Sequence, residues 1–277
     1  MPAKHLASAL LFTAALSACT PDNGTQNAAS GSGDKTGSVK LLNVSYDVAR
    51  DLYKDFNPLF IEEYKKQHNG ADIAVQQSHG GSSKQALAVA NGLKADVVTM
   101  NQGSDIELLV KKGLVKADWQ KAFPNNAVPF TSTTVFLVRK GNPKQIKDWN
   151  DLTQDNLKIV IANPKVTGNG RYTFLGAYGY GLKANNNDDA KAREYVKKML
   201  SKVEVFENGG RAATNTFVQR NIGDVLITFE NEANLSAKQF GNGEFEIVYP
   251  KYSVRMDSPV AVVDKVADER GTRQAAT

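Results

Sequence analysis

The chain is poor in the residues that build reactive or cross-linked sites. Among 277 residues there is one cysteine, Cys19, and there are three histidines, His5, His68 and His79. A lone cysteine excludes an internal disulfide. His5 lies in an N-terminal leader-like stretch, so two histidines remain, too few for a histidine-rich metal site. No metal and no cofactor is expected. Beyond the N-terminus no apolar run is long enough to cross a bilayer as a helix. Charge of one sign is also scarce: 34 Lys and Arg are scattered among 29 Asp and Glu, a formal charge of +5. Without a basic block, nucleic acid is not an expected partner. Ser78 and Ser82 lack a Gly-x-Ser-x-Gly elbow, and no triad pairs His79 with a nucleophile, so the chain does not read as an enzyme.

What is present begins with an address. Lys4 and His5 precede the apolar run Leu6 to Leu16, which ends in Leu16-Ser17-Ala18-Cys19. A basic start, a short apolar core and small residues before a cut describe a bacterial export signal. Leu-Ser-Ala-Cys resembles the lipobox of bacterial lipoproteins, which implies that Cys19 becomes the acylated first residue. A plain secretory signal with a chance cysteine is the alternative. Residues 20–38 are mostly Gly, Ser, Asn, Thr and Asp, a composition too polar to offset its ordering entropy. We read 1–19 as a lipoprotein signal peptide and 20–38 as a flexible linker.

From Val39 the pattern alternates. Val39–Val44, Asp72–Gln77 and Asp96–Met100 read as strands. A helix from about Ala49 to Gln67 carries Leu52, Phe56, Phe60 and Tyr64 on one face; further helices cover Ala86–Ala90 and Ile106–Val110. After Phe123-Pro124 to Pro129 a second series starts. Its strands are Thr133–Val138, Lys158–Ala162, Val203–Phe206 and Asp224–Phe229, with helices near Arg171, Asp188, Arg211 and Asn231. Phe245–Val248 and Pro259–Val263 read as strands returning to the first series. The expected architecture is α/β, two lobes with ligand in the cleft between them. The expected division is 39–132 with 253–277 as lobe I, and 133–252 as lobe II.

Three strand–glycine–helix junctions stand out. The first is Ser78-His79-Gly80-Gly81-Ser82-Ser83-Lys84, with Ser82 placed as an N-cap. It is not a nucleotide P-loop, since Lys84 follows serine and precedes Gln85. The second is Asn163 to Arg171, followed by an aromatic helix bearing Tyr172, Phe174, Tyr178 and Tyr180. The third is Asn208 to Asn215. One such turn is ordinary chain geometry. Three, spread over both lobes, favour convergence on one anion, because each aims helix N–H groups and a positive dipole end at its loop.

Leu41 to Asp47, Gln77 to Ser82, Ala95 to Thr99, Phe136 to Lys144, Asp148 to Leu152, Asn163-Pro164-Lys165, Thr214 to Phe217 and Gly223 to Ile227 together resemble the periplasmic sulfate- and thiosulfate-binding proteins of ABC importers. The match runs from about Val39 to about Arg273. It implies a type II periplasmic-binding-protein fold that holds a dianion between two lobes through backbone N–H groups, serine hydroxyls and a tryptophan N–H. By position, anion contacts fall on Asp47 (through its backbone), Ser82, Thr167, Gly168, Asn169 and Gly210, with His79, Arg171, Arg211 and Phe229 around them. Phe229 stands at the tryptophan position and has no N–H to give; Val166-Thr167 replaces a serine pair. These positions depart from strict sulfate-type geometry, and Phe229, Gly168-Asn169 and Phe206 to Arg211 look closer to the thiosulfate-type branch.

The implied function is an exported, monomeric receptor, periplasmic and lipid-anchored at Cys19. It would capture sulfate or thiosulfate and deliver it to an ABC permease. Donors without acceptors would suit a fully ionised dianion better than a protonated phosphate. An envelope phosphatase or sulfatase, or a surface lipoprotein that has lost transport, are the alternatives. The resemblance also implies further helices beyond the position of Arg273. The chain is therefore expected to be C-terminally truncated, with apolar surface of lobe I left uncovered.

Overall fold

A computed structural model describes residues 38–240 and 243–277. The expected signal peptide, Cys19 and nearly all of the tether lie outside them.

The first sheet is built from β1 (Val39–Tyr46), β2 (Ile73–Gly80) and β3 (Val97–Thr99), with β1 in the centre, parallel to both others. A central parallel strand is covered on both faces, which is why β1 runs buried from Asn43 to Tyr46 rather than alternating. Its crossovers are α1 (Arg50–Gln67) and α2 (Ser82–Ala90), followed by α3 (Gly103–Lys111) and the turn α4 (Pro124–Ala127). Val44, Val89, Val98, Ile106, Leu109 and Trp119 fill the core beneath them. Gly92, at φ +111°, ends α2 one residue past its C-cap. In α4, Asn125, Asn126 and Ala127 all take positive φ, so this turn is left-handed.

The second sheet carries β4 (Phe130–Arg139), β5 (Ile159–Ala162), β6 (Val203–Glu207), β7 (Val225–Phe229) and β8 (Phe245–Val248), in the order β6-β5-β7-β4-β8. Its helices are α5 (Gly168–Ala184), α6 (Asp189–Leu200), α7 (Gly210–Val218) and α8 (Glu230–Phe240). Phe136, Trp149, Ile159, Ile161, Met199 and Ile227 form its core on one face; Leu137, Val160, Phe217 and Leu226 form it on the other. The chain ends with β9 (Arg255–Ser258), β10 (Val260–Val262), α9 (Asp264–Glu269) and α10 (Arg273–Ala276). β10 returns to the first sheet, antiparallel to β3. The long strand β4 links the two halves: Phe130–Thr133 pair with β9, and Thr134–Arg139 with β7 and β8.

Three expectations change. Phe245–Val248 does not return to the first lobe. It pairs with β4 inside the second sheet, with Phe136 opposite Val248. The apolar face of α1 is real as a stripe, but no residue of that helix is buried, and Leu52 and Phe56 stay 46% and 49% exposed. The seven-residue glycine loop is not a loop either. β2 runs to Gly80 and α2 starts at Ser82, so Gly81 alone makes the turn.

Candidate functional site

The N-termini of α2, α5 and α7 come together where the two sheets face each other. Gly81, before α2, marks the junction. A Cβ there would stand 2.9 Å from the Val166 carbonyl, 3.3 Å from Thr167 Cγ2 and 3.4 Å from the Asn208 carbonyl. Only glycine lets the first lobe approach both helix starts of the second this closely. Gly210 is confined less severely, by side chains: its Cβ would lie 3.2 Å from Val48 Cγ2 and 3.3 Å from Asn169 Nδ2. The segments singled out in the sequence at 47, 81–83, 167–169 and 208–211 are thus brought to one place. Each helix start contributes a partial positive charge, about half an elementary charge.

Local roles differ from the sequence reading in several positions. Ser82 is not an N-cap. That position belongs to Gly81, which makes no side-chain cap. The Ser82 hydroxyl instead donates to Asp105 Oδ2 at 2.6 Å, and Ser83 donates to Asp105 Oδ1 at 2.8 Å. The donor left at Ser82 for an anion is its main-chain N–H. Thr167 is the N-cap of α5: its hydroxyl accepts from the Gly170 N–H at 3.0 Å and donates to the Asn163 carbonyl at 2.8 Å. The next two amides, Gly168 and Asn169, have no acceptor among the described residues. Asn169 Nδ2 reaches Thr228 Oγ1 at 3.3 Å.

The Asp47 side chain has a role of its own. It is 8% exposed, and its carboxylate accepts the Arg211 N–H at 3.0 Å, capping α7 from the opposite lobe. Burial pushes its pKa up, against the pull of the Arg211 N–H. The Arg211 side chain pairs with Asp51 of α1 and with the fully buried Glu232, Nη2 lying 3.1 Å from Oε2. Nε and Glu232 Oε1 stand 2.9 Å apart but are not aligned as a hydrogen bond. Burial raises the Glu232 carboxyl to about 7, although Arg211 opposes the shift. Arg171 reaches from α5 to the Ser83 hydroxyl and stands 3.8 Å from Asp105. Both arginines therefore tie the second lobe to acids of the first.

His79 lies on β2, not in a loop, with Nδ1 2.7 Å from Ser45 Oγ on the neighbouring strand. Burial, aided by the Arg50 charge, lowers its pKa, so it stays neutral near pH 7. Phe229 ends β7 buried against Tyr172, edge to face at 5.6 Å, beside Tyr46 and Val48. Sequence reasoning missed Asp51, Asn101, Asp105 and Glu232. Asn101 could have been found, since it follows an apolar strand at the carboxyl end where such sheets bind ligands. Among the described residues no cluster of His, Cys, Asp and Glu could hold a metal ion.

Two α/β lobes joined through β4 and β9, with helix N-termini gathered between them, define a two-lobed binding protein. The chain belongs to the bacterial extracellular solute-binding protein family, whose pattern matches residues 45–277. It is 57% identical over 237 residues to a thiosulfate-binding protein of Pseudomonas aeruginosa, covering 85% of this chain and 71% of that one. It is 49% identical over 238 residues to a sulfate-binding protein of Escherichia coli, covering 86% and 72%. Among solved structures, the sulfate-binding protein SubI from Mycobacterium tuberculosis aligns with a TM-score of 0.72 and 29% identity, over 86% of this chain and 83% of that one. The chain is a member of a family of binding proteins, not of enzymes.

Proposed function

We propose that the chain is an exported receptor that captures sulfate or thiosulfate between lobe I (39–132 with 253–277) and lobe II (133–252) and delivers it to an ABC permease. The observation that carries this reading is the meeting of three helix N-termini, from both lobes, at Gly81. The donors would be the main-chain N–H groups of Asp47, Ser82, Gly168, Asn169 and Gly210, with Thr167 holding the α5 turn. Such a set favours an anion that accepts every bond. Similarity to sulfate- and thiosulfate-binding proteins supports the same anions. Titration calorimetry with thiosulfate, sulfate and phosphate tests it. We expect tight binding of at least one sulfur oxyanion and none of phosphate; no heat with either sulfur oxyanion would overturn the reading.

The receptor would act as a monomer in the periplasm, held to the membrane by lipid on Cys19. Several acyl chains would anchor it firmly, since each buried CH₂ contributes roughly 0.8 kcal/mol. Cys19→Ala should move the protein from the detergent phase to the aqueous phase. Unchanged partitioning of that variant would remove the anchor from the proposal.

A further inference from the structure

Asn101 stands two residues past the end of β3, at the carboxyl end of a first-sheet strand, and is only 2% exposed. Its main-chain N–H donates to Ser82 Oγ at 3.2 Å, which ties it to the first turn of α2. Its side-chain amide makes no hydrogen bond to the described residues, and Oδ1 is fully buried without a partner. A buried amide oxygen left unpaired is costly and calls for a donor, while Nδ2 has no acceptor among the described residues and is free to donate to a ligand. The amide oxygen is aimed at the start of α5. A Cβ on Gly168 would press directly on Asn101 Oδ1, with Cγ 2.6 Å and Nδ2 2.8 Å away. At that helix start the Gly168 and Asn169 N–H groups also have no acceptor among the described residues. On the second sheet the same helix start faces Thr228, the neighbour of Phe229, through Asn169 Nδ2.

We propose that the side-chain amide of Asn101 donates a hydrogen bond to the bound anion and supplies the donor that Phe229 lacks. The proposal rests on the anion-receptor reading above. With Nδ2 turned to the anion, Oδ1 lies over the positive end of α5, where an acceptor is electrostatically favoured. The anion is then held by donors from both lobes, which makes Asn101 a determinant of affinity and of lobe closure on the ligand.

The test is titration of the full chain and of Asn101→Ala and Asn101→Asp with thiosulfate and with sulfate, each beside a melting curve. Asn101→Ala should bind about 10- to 100-fold more weakly, the usual consequence of losing a bond to a charged group. Asn101→Asp keeps the shape but offers only acceptors, and should lose measurable binding. Its melting midpoint should hold or rise, because a carboxylate is favourable at a helix N-terminus. A merely structural asparagine would lower both melting midpoints and leave affinity unchanged, which would overturn the proposal. If the alanine variant does not fold, Asn101→Asp decides: affinity within threefold of the parent overturns it. A parent that binds neither anion would bring down the receptor reading and this proposal with it. A parent that binds, with variants that bind equally well, would bring down this proposal alone.

Discussion

At the residue scale, the glycines around the cleft make the sharpest distinctions. A Cβ on Gly170 would press into main chain, 2.5 Å from Pro164 N and 2.6 Å from the Asn163 carbonyl carbon. Backbone cannot step aside. Gly170→Ala should therefore cost about 3 kcal/mol, the upper end of ordinary overpacking. A Cβ on Gly168 meets only the end of the Asn101 side chain, which can swing. Gly168→Ala should cost less than about 1 kcal/mol of stability while strongly impairing anion binding. Urea unfolding and calorimetry on the pair check this, and equal stability losses would contradict it. The sequence announced that glycines were needed at these junctions but not what each one avoids. The obstacles come from elsewhere in the chain: Asn101 for Gly168, Val166 for Gly81. The carboxylate of Asp47 escaped notice for the same reason, since its partner Arg211 lies 164 residues away.

At the element scale, most strands and helices were legible because apolar periodicity is local. β1, β2 and β7 and helices α1, α5 and α7 sit within a few residues of expectation. What local pattern could not say was which sheet a short strand joins. β8 has the composition of any buried strand, and only pairing with β4 assigns it. Helix α8 illustrates a second limit. Its first-turn acid Glu232 carries no local sign of burial, yet it is fully buried against Arg211, with Asp47 and Asp51 close enough to raise it further. Unfolded, this carboxyl titrates near 4.5; folded, it titrates at about 7. Between those values the folded chain holds a proton that the unfolded chain has released, so stability falls as pH rises. The loss attributable to this group is on the order of 3 kcal/mol at most. Asp47, also raised by burial, adds a slope of the same sign. Urea midpoints at pH 5 and pH 7.5 should differ in the parent, and Glu232→Gln should flatten the difference. A parent whose stability rises across that window would show that Arg211 outweighs burial.

At the scale of the whole molecule, the lobes meet through charge as well as through the cleft. Arg171 reaches Ser83 and Asp105, and Arg211 reaches Asp51 while Glu232 holds it from its own side. Asp51 and Arg171 are the useful positions to change, because neither removes a main-chain donor from the proposed site. If each tie is worth about 1 kcal/mol, losing both shifts the open–closed balance by roughly thirtyfold. Apparent affinity falls in proportion to the closed fraction, so the effect on binding depends on how closed the free parent already is. The double variant Arg171→Met, Asp51→Asn should therefore show a larger radius of gyration in small-angle scattering without anion. At saturating thiosulfate or sulfate the radius should return to the parent's value, because an anion held as proposed bridges donors on both lobes. Affinity should drop by up to about thirtyfold, without loss of the binding heat that marks the anion contacts. An unchanged radius and unchanged affinity would mean that the helix N-termini and the anion alone close the molecule, with the arginines serving only their own lobe.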